Sequence, residues 1–236
     1  MNISLKFYKL SLALLISFPF LSCDVDVNES YSPPPLSTIT EFVASNSDLS
    51  NLAAALSAAD GNLLSLLNGG NYTLLAPNNF AFELFLANNG FTSIDEVPTD
   101  ILENILLNHV ISGTVRSSDL TTAVSGYTST NATNTDGDSL SMYFSTNNGV
   151  VFNGVTRVLN PDIATSNGVV HVVDILIELP TVVTFATTNP GFETLVTALT
   201  RDDLSEDFVS ILSTTTEPAP FTVFAPTNEA FSSLFS

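Results

Sequence analysis

Apolar residues recur along this chain in two rhythms, and the change between them falls near His109. Upstream they repeat at helical spacing: Leu49, Leu52, Ala53 and Leu56; Leu63, Leu64, Leu66 and Leu67; Phe82, Phe85 and Leu86; Ile101, Leu102, Ile105 and Leu106. This predicts a series of helices, each with one apolar side. Start signals agree with it. Thr38 and Glu41 form a candidate capping box, Ser47-Asp48 precedes the second helix, and Asn78 can cap the helix carrying Phe82. Tyr72-Thr73-Leu74-Leu75 reads as a short strand, stopped by Ala76-Pro77 because proline has no N–H to donate. Phe80 and Phe82 are expected to pack behind it. Downstream, "HVISGTV", "SLSMYFS", "GVVFNG", "TRVLN" and "GVVHVVDILIEL" are β-rich and separated by Gly, Asn and Asp. The last run is apolar on both faces and reads as a central, buried strand. Helices first and strands afterwards predict an α+β fold.

The pattern is also written twice. Phe42, Leu52 and Leu56 recur as Phe185, Leu195 and Leu199, at an offset of 143. "TLLAPNNFAF" (73–82) recurs as "TVFAPTNEAF" (222–231), at an offset of 149. Ala76, Pro77 and Phe82 thus match Ala225, Pro226 and Phe231. The extra residues fit a longer loop, "STTTEPAP" against "NGGN". A period of about 145 residues marks a duplicated domain, not a solenoid. The first copy spans 37–180. The second, 181–236, holds the helical part and no counterpart of the strands, so it is expected to be the truncated N-terminal part of a domain. A complete second copy would end near position 329, about one domain length on.

The N-terminus follows different rules. Lys6 and Lys9 precede an apolar stretch, Leu10 to Leu21, and Ser22-Cys23 follows. The stretch is too short to span a bilayer and suits a signal peptide over 1–22. A small residue directly before a cysteine resembles the bacterial lipoprotein box, which makes Cys23, the single cysteine of the chain, the expected acylation site. Residues 23–36, "CDVDVNESYSPPPL", are acidic and end in Pro33-Pro34-Pro35, as a stiff extended tether would. Acidic residues after the lipidated cysteine resemble an export tag of bacterial surface lipoproteins. The expected address is the bacterial cell envelope, with the protein lipid-anchored at the outer membrane or cell surface.

Charge narrows the partners. The 236 residues carry 24 acidic and 5 basic groups, for a net −19. Beyond the leader the basic residues are Arg116, Arg157 and Arg201. Such a surface repels phosphate backbones, so no nucleic acid is expected as partner. Candidate chemistry is sparse. His171 and Asp174 could form the base pair of a hydrolase, but alternate strand positions point them apart. No Gly-x-Ser-x-Gly elbow is present. Two histidines and one lipidated cysteine are too few for a zinc site, so no metal is expected. "NTDGDS" (134–139) resembles a calcium loop but lacks its final glutamate, and Asp136-Gly137 reads more simply as a hairpin turn. Asp202-Asp203 and Glu206-Asp207 read as a solvated helix face. His109 and His171 sit among apolar neighbours and are expected to be buried structural groups. The segment 128–138 is expected to be an exposed loop. Its Thr130, Asn131, Asn134, Asp136 and Asp138 are the candidate contact residues.

Three blocks carry a resemblance. "TLLAPNNFAF", with "TVFAPTNEAF" closer still, is similar to the first signature of the fasciclin domain family. "LLNHVISG" (106–113) resembles its Tyr-His block, with Asn108 at the tyrosine position and His109 keeping the histidine. "NGVVHVVDILIELP" (167–180) resembles its second signature. The resemblance implies a fasciclin-like β-sandwich or wedge-shaped core with N-terminal helices packed on it. It implies no cofactor, no catalytic residues, and adhesion to an extracellular protein or glycan. Ala76, Pro77, Asn78, Phe82, His109, His171, Ala225, Pro226 and Phe231 would then be structural. Two rival readings stand beside it: an enzyme or glycan-handling accessory at the surface, and a periplasmic structural lipoprotein.

Cys23→Ser should release the protein from the membrane fraction or leave the leader uncleaved, since a firm anchor needs more than one acyl chain. Fractionation and intact mass measure both. Normal processing with full membrane retention would refute lipidation at Cys23.

Overall fold

The computed structural model describes residues 35–59, 62–216 and 219–234. The predicted signal peptide, Cys23 and most of the tether lie outside these residues. Helices form where the apolar spacing asked for them: α1 (Ile39–Ser45), α2 (Ser50–Ala58), α3 (Asn62–Gly69), α4 (Asn79–Asn89) and α5 (Thr99–Asn108). Their starts are fixed by side chains that satisfy amides left free in the first turn. Thr38 and Glu41 bond reciprocally to each other's backbone N–H at the start of α1. The Asn78 Oδ1 accepts the Ala81 N–H at 2.9 Å and opens α4. One start differs from expectation. Asn46, not Ser47-Asp48, caps a single 3-10 turn at Ser47–Leu49, which leads into α2.

Seven strands follow the order β2-β1-β7-β6-β5-β4-β3: β1 (Tyr72–Pro77), β2 (Val110–Ser112), β3 (Ser125–Thr133), β4 (Ser139–Ser145), β5 (Val151–Phe152), β6 (Thr156–Thr165) and β7 (Gly168–Val173). β1 and β7 pair in parallel, with Leu74 opposite Val170 and Ala76 opposite Val172; the other pairs are antiparallel. The fold is thus mixed α and β, with helices α1–α5 against one face of the sheet.

The two-residue period of the strands sorts their side chains into two cores. Leu74, Ala76, Val170 and Val172 join Leu49, Leu52, Leu56, Phe82 and Leu106 beneath the helices. Leu75 and Val173 point the other way, to Ile111, Met142, Phe144 and Phe152, with Leu120 of α6 (Ser117–Ala123). The second core exists because the sheet curls until β3 lies near β2. Asparagine side chains join them: Asn131 Nδ2 donates to the Val110 carbonyl at 2.9 Å, and its Oδ1 accepts from the Ser112 hydroxyl at 3.2 Å. Asn104 bonds both the N–H and the C=O of Thr133.

Several expectations need correction. The run from Gly168 stops being a strand after Val173, where Asp174 instead bonds the Arg157 backbone. "TRVLN" extends to Thr165, with Pro161 tolerated where the β6–β7 register slips. Ile101 is exposed, so the apolar face of α5 is Leu102, Ile105 and Leu106. Phe80 is 64% exposed and does not pack, because it leaves the first turn of α4 on its outer side.

After the sheet come α7 (Val182–Thr188), α8 (Glu193–Leu199), α9 (Phe208–Ser213) and α10 (Asn228–Leu234). This segment touches the sheet through Phe185, whose ring meets Tyr127 edge-on at 5.7 Å, and through Asn189 Nδ2, which donates to the Tyr127 hydroxyl at 3.0 Å.

Gly168 is where β7 begins, with φ +149°, and a Cβ there would lie 1.9 Å from the Tyr72 carbonyl oxygen. Gly168→Ala must push β1 and β7 apart. It should cost ~3 kcal/mol or more, read as a lower urea midpoint. An unchanged midpoint would show that the pairing tolerates a side chain there.

Candidate functional site

The two histidines lie where the sheet meets its supports, and both are buried. His109 ends α5. Its Nδ1–H donates to the Ile105 carbonyl at 2.8 Å, its Nε2 accepts the Ile177 N–H at 2.8 Å, and its own carbonyl accepts the Leu75 N–H at 2.9 Å. One residue therefore ties α5, β1 and the strap after β7. Burial lowers its pKa from 6.5 to about 4, against the opposing effect of the Ile105 carbonyl, so the ring is neutral. Beside it Asn108, fully buried, donates to the carbonyls of Ile177 and Glu178 and accepts from the Thr130 hydroxyl.

His171 stands on β7. Its Nδ1 accepts the Asp162 N–H at 3.1 Å, and its Nε2–H donates to the Val115 carbonyl at 2.9 Å. Asp174, the partner weighed from sequence, bonds the Arg157 N–H instead. The structure brings Ser117, Asp162 and His171 together, a grouping that no local signal marks because 45 residues separate Ser117 from Asp162. The Ser117 hydroxyl and amide both donate to the Asp162 carboxylate. Partial burial works to raise the Asp162 pKa, but the two Ser117 bonds, together with the electrostatic effect of His171 and Arg116, leave it lowered. The hydroxyl proton faces a carboxylate rather than an imidazole, and both ring nitrogens are spent on backbone. This arrangement positions a turn, and the imidazole is not placed to activate the Ser117 hydroxyl.

The expected contact loop is corrected. Thr130 and Asn131 belong to β3: Thr130 is 3% exposed, and Asn131 is engaged with β2. The continuously exposed part runs from Thr133 to Ser139, with its turn built on Asn134. There Asn134 Oδ1 accepts the N–H groups of Asp136 and Asp138 at 3.0 and 2.8 Å, and the Asn134 N–H donates to the Asp138 carbonyl at 2.9 Å. The turn is braced from within, and the Asp136 and Asp138 carboxylates face solvent. Among the described residues no three His, Cys, Asp or Glu side chains stand together to hold a metal ion. No described helix is long and apolar enough to cross a membrane.

The repeated segment reproduces the main polar clamps of the first. Asn79 Oδ1 accepts the Asn51 N–H at 2.9 Å and Asn79 Nδ2 donates to the Ser47 carbonyl; Asn228 does the same with Thr194, at 2.9 Å, and Pro190. The Asn46 cap recurs at Asn189, the Thr38–Glu41 box at Thr181–Thr184, and the Asn78 cap at Thr227. Phe231, like Phe82, follows its cap, but it is only half-buried, and Ala225 and Pro226 are exposed.

The family model of the fasciclin domain matches residues 47–180 and again 190–236, and the chain belongs to that family. Among curated proteins it is similar to the cell surface glycolipoprotein MPT83 of Mycobacterium tuberculosis, 41% identical over 80 residues, 32% of this chain and 34% of that protein. It is also similar to protein sll1483 of Synechocystis, 33% identical over 144 residues, 61% of this chain and 74% of that one. The immunogenic protein MPT70 of M. tuberculosis is 40% identical over 75 residues, 30% of this chain and 37% of that protein. The match to the first of these spans about a third of its length. Among solved structures, the FAS1 domain pair of the insect cell adhesion molecule Fasciclin I aligns with TM-score 0.45 at 20% identity, over 63% of this chain and 51% of that one.

His109 generates a pH dependence with a definite sign. The unfolded imidazole titrates near 6.5 and the folded one near 4. Between these values the unfolded chain binds a proton that the folded chain refuses. Stability should therefore fall as the pH drops from about 6.5 to about 4, by roughly 3 kcal/mol over the full window, and this contribution should flatten below it. Urea midpoints at pH 7 and pH 5, compared with those of His109→Gln, isolate the effect. An equal slope in both proteins would assign it elsewhere.

Proposed function

We propose that this is a non-catalytic interaction protein, lipid-anchored through Cys23 at the outer membrane or cell surface of a bacterium, that binds an extracellular protein or glycan through its fasciclin-type scaffold. The observation that carries this reading is the state of the imidazoles: every ring nitrogen of His109 and His171 is committed to the backbone. Acid–base chemistry by histidine needs a free ring nitrogen within reach of a substrate proton. What the scaffold offers to solvent is a rigid surface with a braced acidic turn. A surface address is supported by relatives whose names describe cell surface glycolipoproteins.

The turn supplies the contact in this reading. The backbone N–H groups of Asp136 and Asp138 are held by Asn134, so little backbone ordering entropy is lost on binding. A basic or hydroxyl-rich partner suits them.

Protease shaving of intact cells should remove the protein, and binding to a panel of matrix proteins and glycans should pick out a partner. Asp136→Asn with Asp138→Asn should weaken that binding about fivefold, the scale of two exposed charge contacts, while leaving thermal stability unchanged. Resistance to shaving would favour a periplasmic structural role. Turnover of any glycan on the panel would favour the enzymatic reading.

A further inference from the structure

The complete copy carries a polar cleft that neither the cores nor the acidic turn uses. It encloses about 500 Å³, within the size of small-ligand sites, about 300–1,000 Å³. Three segments form it: the α3–β1 loop at 68–71, the stretch after β2 at 114–116, and the β6–β7 hairpin at 165–168. They are fixed in place by hydrogen bonds. Asn167 Oδ1 accepts the Ile39 N–H at 2.9 Å, Asn167 Nδ2 donates to the Leu67 carbonyl, and the Gly113 N–H donates to the Asn71 carbonyl at 2.8 Å. The walls present mainly donors. Asn68 Oδ1 is spent on the Thr40 hydroxyl at 2.7 Å and Asn71 Oδ1 on the Thr114 hydroxyl at 2.8 Å, which leaves both Nδ2 groups to donate. Arg116 is exposed, and its guanidinium forms no ion pair among the described residues. On the floor, Thr165 is 7% exposed and its hydroxyl has no partner. In the second copy "STTTEPAP" stands where the 68–71 loop would be, so the repeated fold does not itself demand Asn68 and Asn71.

We propose that this cleft binds a neutral carbohydrate through neighbouring hydroxyls of one or two sugar units. The planar Arg116 guanidinium can give two parallel N–H bonds to a pair of adjacent hydroxyl oxygens, and the Asn68 and Asn71 amides can donate to others. A sugar oxygen settled on the floor supplies the partner that the Thr165 hydroxyl lacks. Other ligand classes fit less well. The lining residues are Asn, Gly, Thr, Arg and Ser only, so a protein partner finds no apolar anchor and a lipid chain no apolar wall. An anion is also disfavoured. Asp119 accepts the Arg116 backbone N–H, and the Arg116 charge reaches the Asp162 carboxylate, so two carboxylates beside one cation leave no net positive field. The guanidinium and the amide donors turn a cation away. No residue lining the cleft belongs to the turn at 134–138, so this site goes beyond the adhesive surface proposed above and is tested apart from it.

The probes are maltose, lactose and cellobiose, titrated into the full chain while NMR follows the side-chain amide and guanidinium signals. At least one sugar should shift the Asn68, Asn71 and Arg116 signals saturably, with a Kd of about 1 mM, as suits an open site without apolar walls. Arg116→Met keeps the length of the side chain, removes the paired donors, and should weaken that binding about fivefold or more. Gly69→Leu should obstruct the cleft, because a Cβ at Gly69 meets open space and the larger side chain enters without a clash. Thermal melting checks that both variants fold; where Gly69→Leu melts early, Arg116→Met decides. Digalacturonate should bind no more tightly than the neutral sugars. No saturable shift with any of the three sugars at about 100 mM overturns the proposal, as does undiminished binding by folded Arg116→Met. Shifts confined to 134–138 place the sugar on the acidic turn and overturn the cleft as its site. Binding of digalacturonate about tenfold tighter overturns the neutral assignment in favour of an anion.

Discussion

The parallel pairing of β1 with β7 is the constraint on which the rest of this molecule depends. It joins the strand behind the first three helices to the last strand of the domain, so everything between Pro77 and Gly168 is the crossover that makes it possible. The pair is buried on both faces and divides the interior into the two cores. Gly168 permits the approach, because the Tyr72 carbonyl occupies the place of its missing side chain. His109 fixes the same pair from outside by accepting the Leu75 N–H and holding Ile177 just beyond β7. A neutral imidazole suits this place because it offers one donor and one acceptor in a dry setting, where a charged ring would be costly.

Polar side chains do here what longer strands would otherwise do. Asn131 ties β3 to β2, while Asn104 and Asn108 of α5 tie that helix to β3 and to the segment after β7, each through a carboxamide able to donate and accept. At the other margin Asn153 bonds the Tyr143 N–H through its side chain and the Tyr143 carbonyl through its backbone N–H. Such groups satisfy buried backbone without adding apolar surface, which helps a strongly acidic chain keep a rigid sheet.

Much of the helical layer was legible in the sequence, because caps and apolar spacing are local signals. Thr38 with Glu41, and Asn78, act as read, and the repeat at Ala225-Pro226 pointed to the second family match. The strands were harder to bound. β3 reads as a loop because Ser, Thr and Asn fill it; Thr130 is buried by a hydrogen bond to Asn108, a partner 22 residues away. α6 offers a single buried apolar residue, Leu120, and so shows no periodicity. The meeting of Ser117, Asp162 and His171 depends on register slips in β6, which composition does not reveal. Local grammar was thus readable, and polar long-range contacts were not.

The doubled clamps bear on how the chain is made. Asn79 and Asn228 each lock two helices with side-chain amides, and neither lock uses a strand. During synthesis Leu74 leaves the ribosome well before Val170, by about 5–20 s at ordinary elongation rates. For that interval the nascent helices must keep their order with one oily side uncovered. The carboxamide locks let them wait as a preassembled platform, and the interval is also when a holding chaperone has most to grip.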